Sequence, residues 1–309
     1  MTAFSDLTHH GDADLVPGLV DLAVNVRSGG TPGWLAAVIR AADIAPYPDQ
    51  RDAVEAVAAR HRRAPGEVLL TAGAAEAFVL LARALRPRHA VVVHPQFTEP
   101  EAALRAAGHQ VDQVILPFPF TLDPSLVPAG AAGRRRRGLR RLPAGRAGIG
   151  RERRRARRAG GDPSLTKTWA LAGLRVGYVL AAADVVALLA AGQPLWPVST
   201  PALTACVATA SGAALSTVTE WAGMLAAQRE HLLGLLGAID AVRVVPDASA
   251  SFVLLDTAIG DVRTRLQSRG FAVRRGETFP GLAPGWIRVA VRDAETSDRF
   301  ATALHEVIG

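Results

Sequence analysis

Between residues 67 and 116 short apolar runs alternate with amphipathic ones, and this alternation limits the fold more than any other feature of the chain. "EVLLT" is a strand signal that passes through "AGAAE" into "AEAFVLLARALR", where Phe78, Leu81, Ala82 and Leu85 recur at helical spacing. "AVVVHP" is rich in β-branched residues and reads as a buried strand. "EPEAALRAAG" reads as a helix closed by Gly108, and "QVDQVIL" as the next strand. Alternation of this kind predicts an α/β fold with a mainly parallel sheet and helices on both faces.

The pattern stops between residues 131 and 160, where no apolar period, strand or cap can be read. It resumes with "LRVGYVLAA" as a strand and "DVVALLAAG" as a helix, then a long helical stretch around "TEWAGMLAAQREHLLGLLGAI". A carboxy-terminal unit follows: "SFVLLD", the helix "DVRTRLQSRG", "FAVRR", the strand "WIRVAV" and the helix "DAETSDRFATALHEVIG". That order predicts a smaller α/β domain beside a larger one. The expected division is an amino-terminal segment of the small domain over 1–30, a large domain over 31–215 and a carboxy-terminal small domain over 216–309.

The chain's 309 residues, 49% of them hydrophobic, suffice for a large core. The net charge of +7 invites a nucleic-acid partner until it is located. Residues 134–158 hold 13 arginines and one glutamate, a local +12, which leaves −5 for the rest. The basic character therefore belongs to one segment, and nucleic acid is not the expected partner. A single cysteine, Cys206, excludes an internal disulfide framework and fits a reducing compartment. No run resembles a membrane span, and "MTAFSDLTHHGDAD" does not read as a secretory signal. The expected compartment is the cytoplasm, without membrane contact.

"SLTKTWALAGLRVGY" contains Lys167, the one lysine among 35 lysine and arginine side chains. Arginine holds bidentate partners better and never loses its charge, but it cannot shed a proton near neutral pH and attack a carbonyl carbon. A lone lysine in an arginine chain points to amine chemistry, the plain alternative being a solvated loop lysine. Ser164, three residues before, and Arg175, eight after, could both reach a phosphate beside such an amine.

This word resembles the lysine signature of fold type I pyridoxal phosphate enzymes of the aminotransferase class I/II group. The branch it resembles includes histidinol-phosphate aminotransferase and the cobalamin-pathway threonine-phosphate decarboxylase. "HHGD", "DLAVNV", "QPLWPVSTPAL" and "FPGLAPGWIRVAVR" follow the second in the same order, and the likeness spans nearly the whole chain outside 131–160. The resemblance implies pyridoxal 5'-phosphate as cofactor, no metal, and a small amino acid or amino acid phosphate as substrate. It makes Lys167 the lysine that condenses with the cofactor aldehyde and places Ser164 and Arg175 on the cofactor phosphate. "TAGAAE" matches the strand, glycine and helix junction, so the amides of Gly73, Ala74 and Ala75 would bind that phosphate, as helix amino termini do. Phe97 in "HPQFTEP" matches the aromatic on the pyridine ring; read alone, it is a core phenylalanine at a strand end. Arg288 matches the substrate-carboxylate arginine, and Arg274 an arginine near a substrate phosphate. Tyr47 matches the tyrosine that reaches the neighbouring subunit's phosphate, which implies a homodimer. Asn25 falls in the segment lining the substrate mouth and reads equally as a turn residue.

The family also has an asparagine in an "NPTNPTG"-like loop and an aspartate in a "DEAF"-like strand end that pairs with the pyridine nitrogen. Neither motif occurs here; between Asp123 and Asp162 the only acid is Glu152. A buried carboxylate keeps that nitrogen protonated, so without it condensation at Lys167 remains possible while carbanion formation slows by orders of magnitude. One reading of 131–160 is translation out of frame, since guanine- and cytosine-rich codons in the wrong register yield arginine, glycine, alanine and proline. The other is a genuine basic loop that binds nucleic acid or an acidic partner. The activities implied are threonine-phosphate decarboxylation for the cobalamin side chain, or histidinol-phosphate or other amino acid transamination. A catalytically impaired relative with a basic binding segment is the alternative of a different class.

Overall fold

The protein is described by a computed structural model covering residues 7–87, 89–128 and 164–309. The segment in which the sequence lacks the family's asparagine and aspartate lies outside these residues. Nine strands occur among the described residues: β1 (Val20–Leu22), β2 (Val68–Thr71), β3 (Ala90–His94), β4 (Val111–Ile115), β5 (Gly177–Leu180), β6 (Arg243–Val244), β7 (Phe252–Asp256), β8 (Phe271–Arg275) and β9 (Trp286–Ala290). The helices are α1 (Gly33–Arg40), α2 (Arg51–His61), α3 (Gly73–Leu85), α4 (Glu99–Ala106), the short α5 (Leu165–Thr168), α6 (Ala183–Ala190), α7 (Thr200–Ala210), α8 (Gly212–Gly237), α9 (Val262–Ser268) and α10 (Ala294–Ile308).

The class is α/β, as the alternation predicts, and the pairing is mixed. β3 and β4 run parallel, whereas β2 and β5 pair antiparallel, with Thr71 opposite Gly177. The other sheet has the order β1-β8-β9-β7-β6; β1 is parallel to β8, and its remaining pairs are antiparallel. All four residues of β2 are buried, as expected for a strand covered on both faces. β3 alternates, with Ala90, Val92 and His94 inward.

Two large cores result. One gathers Leu35, Val57, Leu70, Leu165, Trp169 and Leu203; the other gathers Leu232, Val253, Phe271, Ile287, Phe300 and Leu304. Helix α8 joins them, because Ala214 and Val218 pack into the first and Leu232 and Leu236 into the second. It runs unbroken through residues 215 and 216, where the sequence division had been drawn. Of the residues at helical spacing in α3, Ala82 is buried while Phe78, Leu81 and Leu85 are half-buried, and Ala77 and Leu80 are buried beside them. Phe78 instead faces Phe97, with ring centroids 6.3 Å apart. Among the described residues no single helix is long and apolar enough to cross a membrane. The Cys206 thiol is buried and pushed up to about 12 by that burial, so it is inert near neutral pH.

Trp169 is 1% exposed and meets Trp34 edge to face at 5.7 Å. Trp169→Ala is expected to lower the unfolding free energy by about 3–5 kcal/mol in urea titrations. His61 shares a 2.8 Å hydrogen bond with the Tyr178 hydroxyl. Burial, followed by the charges of Arg60 and Arg63, lowers its pKa from 6.5 to about 4. Folding therefore favours the neutral ring: its contribution is complete above pH 6.5 and declines as pH falls toward about 4. The variant His61→Gln should show a flatter dependence of stability on pH across that interval.

Candidate functional site

The site is built on a close approach between two backbones. Gly73 opens α3 with φ +80°, a conformation glycine adopts without strain. A Cβ on Gly177, the first residue of β5, would lie 3.1 Å from Gly73 Cα and 3.4 Å from Ala74 N. The glycine lets β5 rest against the amino terminus of α3. Arg175, two residues before Gly177, takes φ +50° and folds back, so that a Cβ on Gly73 would meet its Nη2 at 3.0 Å. Its Nη1 donates to the Ala172 carbonyl at 2.9 Å. Helix α3 has no side-chain cap, so the first-turn amides of Gly73, Ala74 and Ala75 lie beside a guanidinium with the positive end of the helix dipole behind them. Such a grouping of donors suits an anion. Thr71, at the end of β2, buries an Oγ1 that has no hydrogen-bond partner among the described residues.

Lys167 lies on the same loop, in α5. Ser164 starts this turn from an extended conformation, and its Oγ accepts from the Lys167 amide at 3.4 Å, so the hydroxyl serves as a helix cap. Leu165, Trp169 and Leu171 anchor the turn in the core, while Lys167 stays half-buried. Its carbonyl accepts from the Arg27 amide at 3.0 Å. Thr31 Oγ1 likewise donates to the Ala170 carbonyl at 3.0 Å, so the amino-terminal segment brackets the lysine turn.

Arg274 and Arg288 face each other in the β8–β9 register. Arg288 donates to the Ala23 carbonyl at 2.7 Å, and its Cζ lies 5.1 Å from the Phe252 ring. Arg274 is 2% exposed, lies 5.1 Å from the Phe279 ring and donates to the His9 carbonyl, so the amino-terminal segment covers it. Asn25 is half-buried, and its carbonyl accepts from Ser251 Oγ at 3.1 Å. Phe97 is 48% exposed, which removes the core reading; its ring neighbours are Phe78 and His10. Tyr47 is 74% exposed and stacks on Trp196 at 4.2 Å, beside a cavity of about 320 Å³ lined by Pro46, Ser199 and Pro201.

Several residues around the site were not singled out from the sequence. Glu101 is fully buried and accepts from His94 Nε2 at 2.6 Å, Arg105 Nε at 2.7 Å and Gln113 Nε2 at 2.9 Å. Burial alone would raise the Glu101 pKa, but the hydrogen bonds from Gln113, Arg105 and His94 outweigh it and lower it, while burial lowers that of His94. The network holds an ionised carboxylate against a neutral imidazole and ties β3 to α4, which fixes the loop carrying Phe97. His10 Nε2 bonds Glu99 at 2.6 Å on the same loop. Arg27 and Arg292 were likewise not singled out. No group of three or more metal-ligating side chains gathers among the described residues.

A histidinol-phosphate aminotransferase from Mycobacterium tuberculosis is 40% identical over 323 aligned residues, covering 92% of this chain and 86% of that protein. The chain belongs to the aminotransferase class I and II family. The family's own model, described as aminotransferase class I and II, matches residues 163–304. Among solved structures, the histidinol-phosphate aminotransferase from Clostridium acetobutylicum has a TM-score of 0.77 at 20% identity, covering 94% of this chain and 99% of the other. The L-threonine-O-3-phosphate decarboxylase from Porphyromonas gingivalis has a TM-score of 0.73 at 19% identity, covering 93% and 99%. At these identities the likeness is one of fold.

Enzymes of the aminotransferase class I and II family depend on pyridoxal phosphate. The residues present fit its phosphate: a Cβ on Gly73 would meet the Arg175 guanidinium, so only a bare helix terminus leaves that guanidinium its place. Gly177→Ala should lower the unfolding free energy by about 1–3 kcal/mol, since the added methyl meets backbone. In fluorescence titration the same variant should bind pyridoxal phosphate at least about tenfold more weakly, roughly 1.4 kcal/mol.

Proposed function

We propose that this member of the family acts on an amino acid phosphate, with decarboxylation of threonine phosphate, the cobalamin side-chain reaction, as its activity. The observation that carries this reading is the facing pair Arg274 and Arg288 on β8 and β9, on the same sheet as β1, whose continuation reaches Lys167 through the Arg27 amide. One small substrate with a carboxylate and a phosphate suits two such guanidiniums. Histidinol-phosphate transamination is the second reading, favoured by the 40% identical relative named for that activity.

When bound, pyridoxal phosphate supplies an aldehyde that condenses with amines and a ring that draws electron density from the substrate's α-carbon. In the proposed arrangement the amides of Gly73, Ala74 and Ala75, with Arg175 and Ser164, hold the phosphate, and Phe97 offers its exposed ring face to the pyridine. Lys167 presents the amine and is the one lysine able to do so. Arg288 takes the substrate carboxylate, where a bidentate fork fixes orientation as well as affinity. Arg274 takes the substrate phosphate once residues 9–11 give way, and Asn25 lines the mouth. Tyr47 serves the phosphate of a second copy; its exposure, with Trp196 and Leu195 beside it, supports a homodimer. The division into 1–30, 31–215 and 216–309 is proposed on the same basis, with α8 as the shared helix.

The purified protein with added pyridoxal phosphate should absorb near the visible edge, and Lys167→Ala should lose that band. Release of carbon dioxide from threonine phosphate, without amino transfer from histidinol phosphate to 2-oxoglutarate, is the expected assay result. The reverse pattern selects the second reading. A band without either activity identifies a catalytically impaired relative.

A further inference from the structure

Starting from Asp21 and Leu22, the last two residues of β1, the chain leaves the sheet and crosses to the lysine turn as a strap, residues 21–27. β1 is an edge strand, so carbonyls on its free side and past its end need donors from elsewhere. Arg292, two residues past the end of β9, supplies them: Nε donates to the Asp21 carbonyl at 3.1 Å, Nη2 to that of Val24 at 2.7 Å and Nη1 to that of Val26 at 3.4 Å. Nη1 also donates to the Val291 carbonyl at 3.0 Å, which ties the guanidinium back to its own strand. A planar fork with five N–H groups can serve several separated acceptors at once, which a single ammonium cannot.

The strap touches both ends of the proposed chemistry. Between the carbonyls that Arg292 holds, that of Ala23 accepts from Arg288. One residue past the clamp, the Arg27 amide donates to the Lys167 carbonyl. The Asp21 carboxylate accepts from the amides of Ala23 and Val24, both at 2.9 Å, and Ser251 Oγ donates to the Asn25 carbonyl. The strap is thus a rigid spacer between the arginine of β9 and the lysine turn, and one guanidinium makes three of its anchoring bonds.

We propose that Arg292 is a positioning residue, which clamps residues 21–26 so that the strap fixes Arg288 and the Lys167 turn relative to each other. The role rests on the reading of Lys167 given above. Arg292 itself touches neither substrate nor cofactor.

Amide hydrogen exchange on the cofactor-free protein tests the clamp without depending on that reading. In Arg292→Met the amides of Ala23, Val24 and Arg27 should lose protection by at least about tenfold, while β7 and β8 keep theirs. Arg292→Lys should restore part of it. The second readout is the pH midpoint of the long-wavelength band with pyridoxal phosphate added, which should move by at least about half a pH unit in Arg292→Met and less in Arg292→Lys. Unchanged exchange at those three amides, or a loss spread evenly over the sheet, overturns the clamp whatever the band does. Changed exchange with an unmoved midpoint overturns the positioning role and leaves a purely structural residue. If the wild type shows no band, the Lys167 reading fails and the positioning role with it, while the exchange result stands on its own. Should Arg292→Met not fold, Arg292→Lys decides by the same two measurements, with smaller changes of the same sign expected.

Discussion

Everything at the proposed cofactor site depends on two glycines that let β5 lie against the first turn of α3. With 3.1 Å between the Gly73 Cα and a Cβ that Gly177 does not carry, any side chain there would lift the strand and everything attached to it. What is attached is Arg175 two residues earlier and the Lys167 turn eight residues before that. That steric allowance sets the Arg175 guanidinium beside the first turn of α3, with the lysine turn eight residues further back along the chain. The antiparallel pairing of β2 with β5 follows from the same contact, because the chain must arrive at the helix amino terminus with the loop on its near side.

The second constraint is the amino-terminal segment. β1 is an edge strand of the sheet that carries Arg274 and Arg288, and the chain leaves it to bond the Lys167 carbonyl. Two bodies of the fold, each with its own core, are therefore linked at the site by hydrogen bonds to backbone carbonyls as well as by the continuous helix α8. Such links cost little burial and place polar atoms at a defined separation, which a site with separate carboxylate and cofactor anchors requires.

The β–α alternation, the lysine turn and the glycine junction could be read from sequence because each is local. Lys167 stood out through a compositional contrast, and Gly73 through its place between a strand and a helix. Helices α2 and α7 left weak signals: alanine-rich or mixed segments carry little apolar period, and burial decides their faces only after packing. The half-buried place of Phe78 was not legible because it pairs with Phe97, a contact between separate elements that no window along the chain contains. The same holds for Glu101, whose partners His94 and Gln113 lie on neighbouring strands, and for Arg292, whose acceptors lie about 270 positions away. The direction of β5 was invisible for a similar reason, since its pairing with β2 joins Thr71 to Gly177, more than 100 positions apart in the chain.

The central claim is that one amine, Lys167, meets the cofactor aldehyde. Reduction of the pyridoxal-phosphate-loaded protein with borohydride, followed by peptide mapping, tests it most directly. The account predicts a single pyridoxyl label on the peptide that contains Lys167. A label on the amino-terminal amine instead, or no label at saturating cofactor, would contradict it.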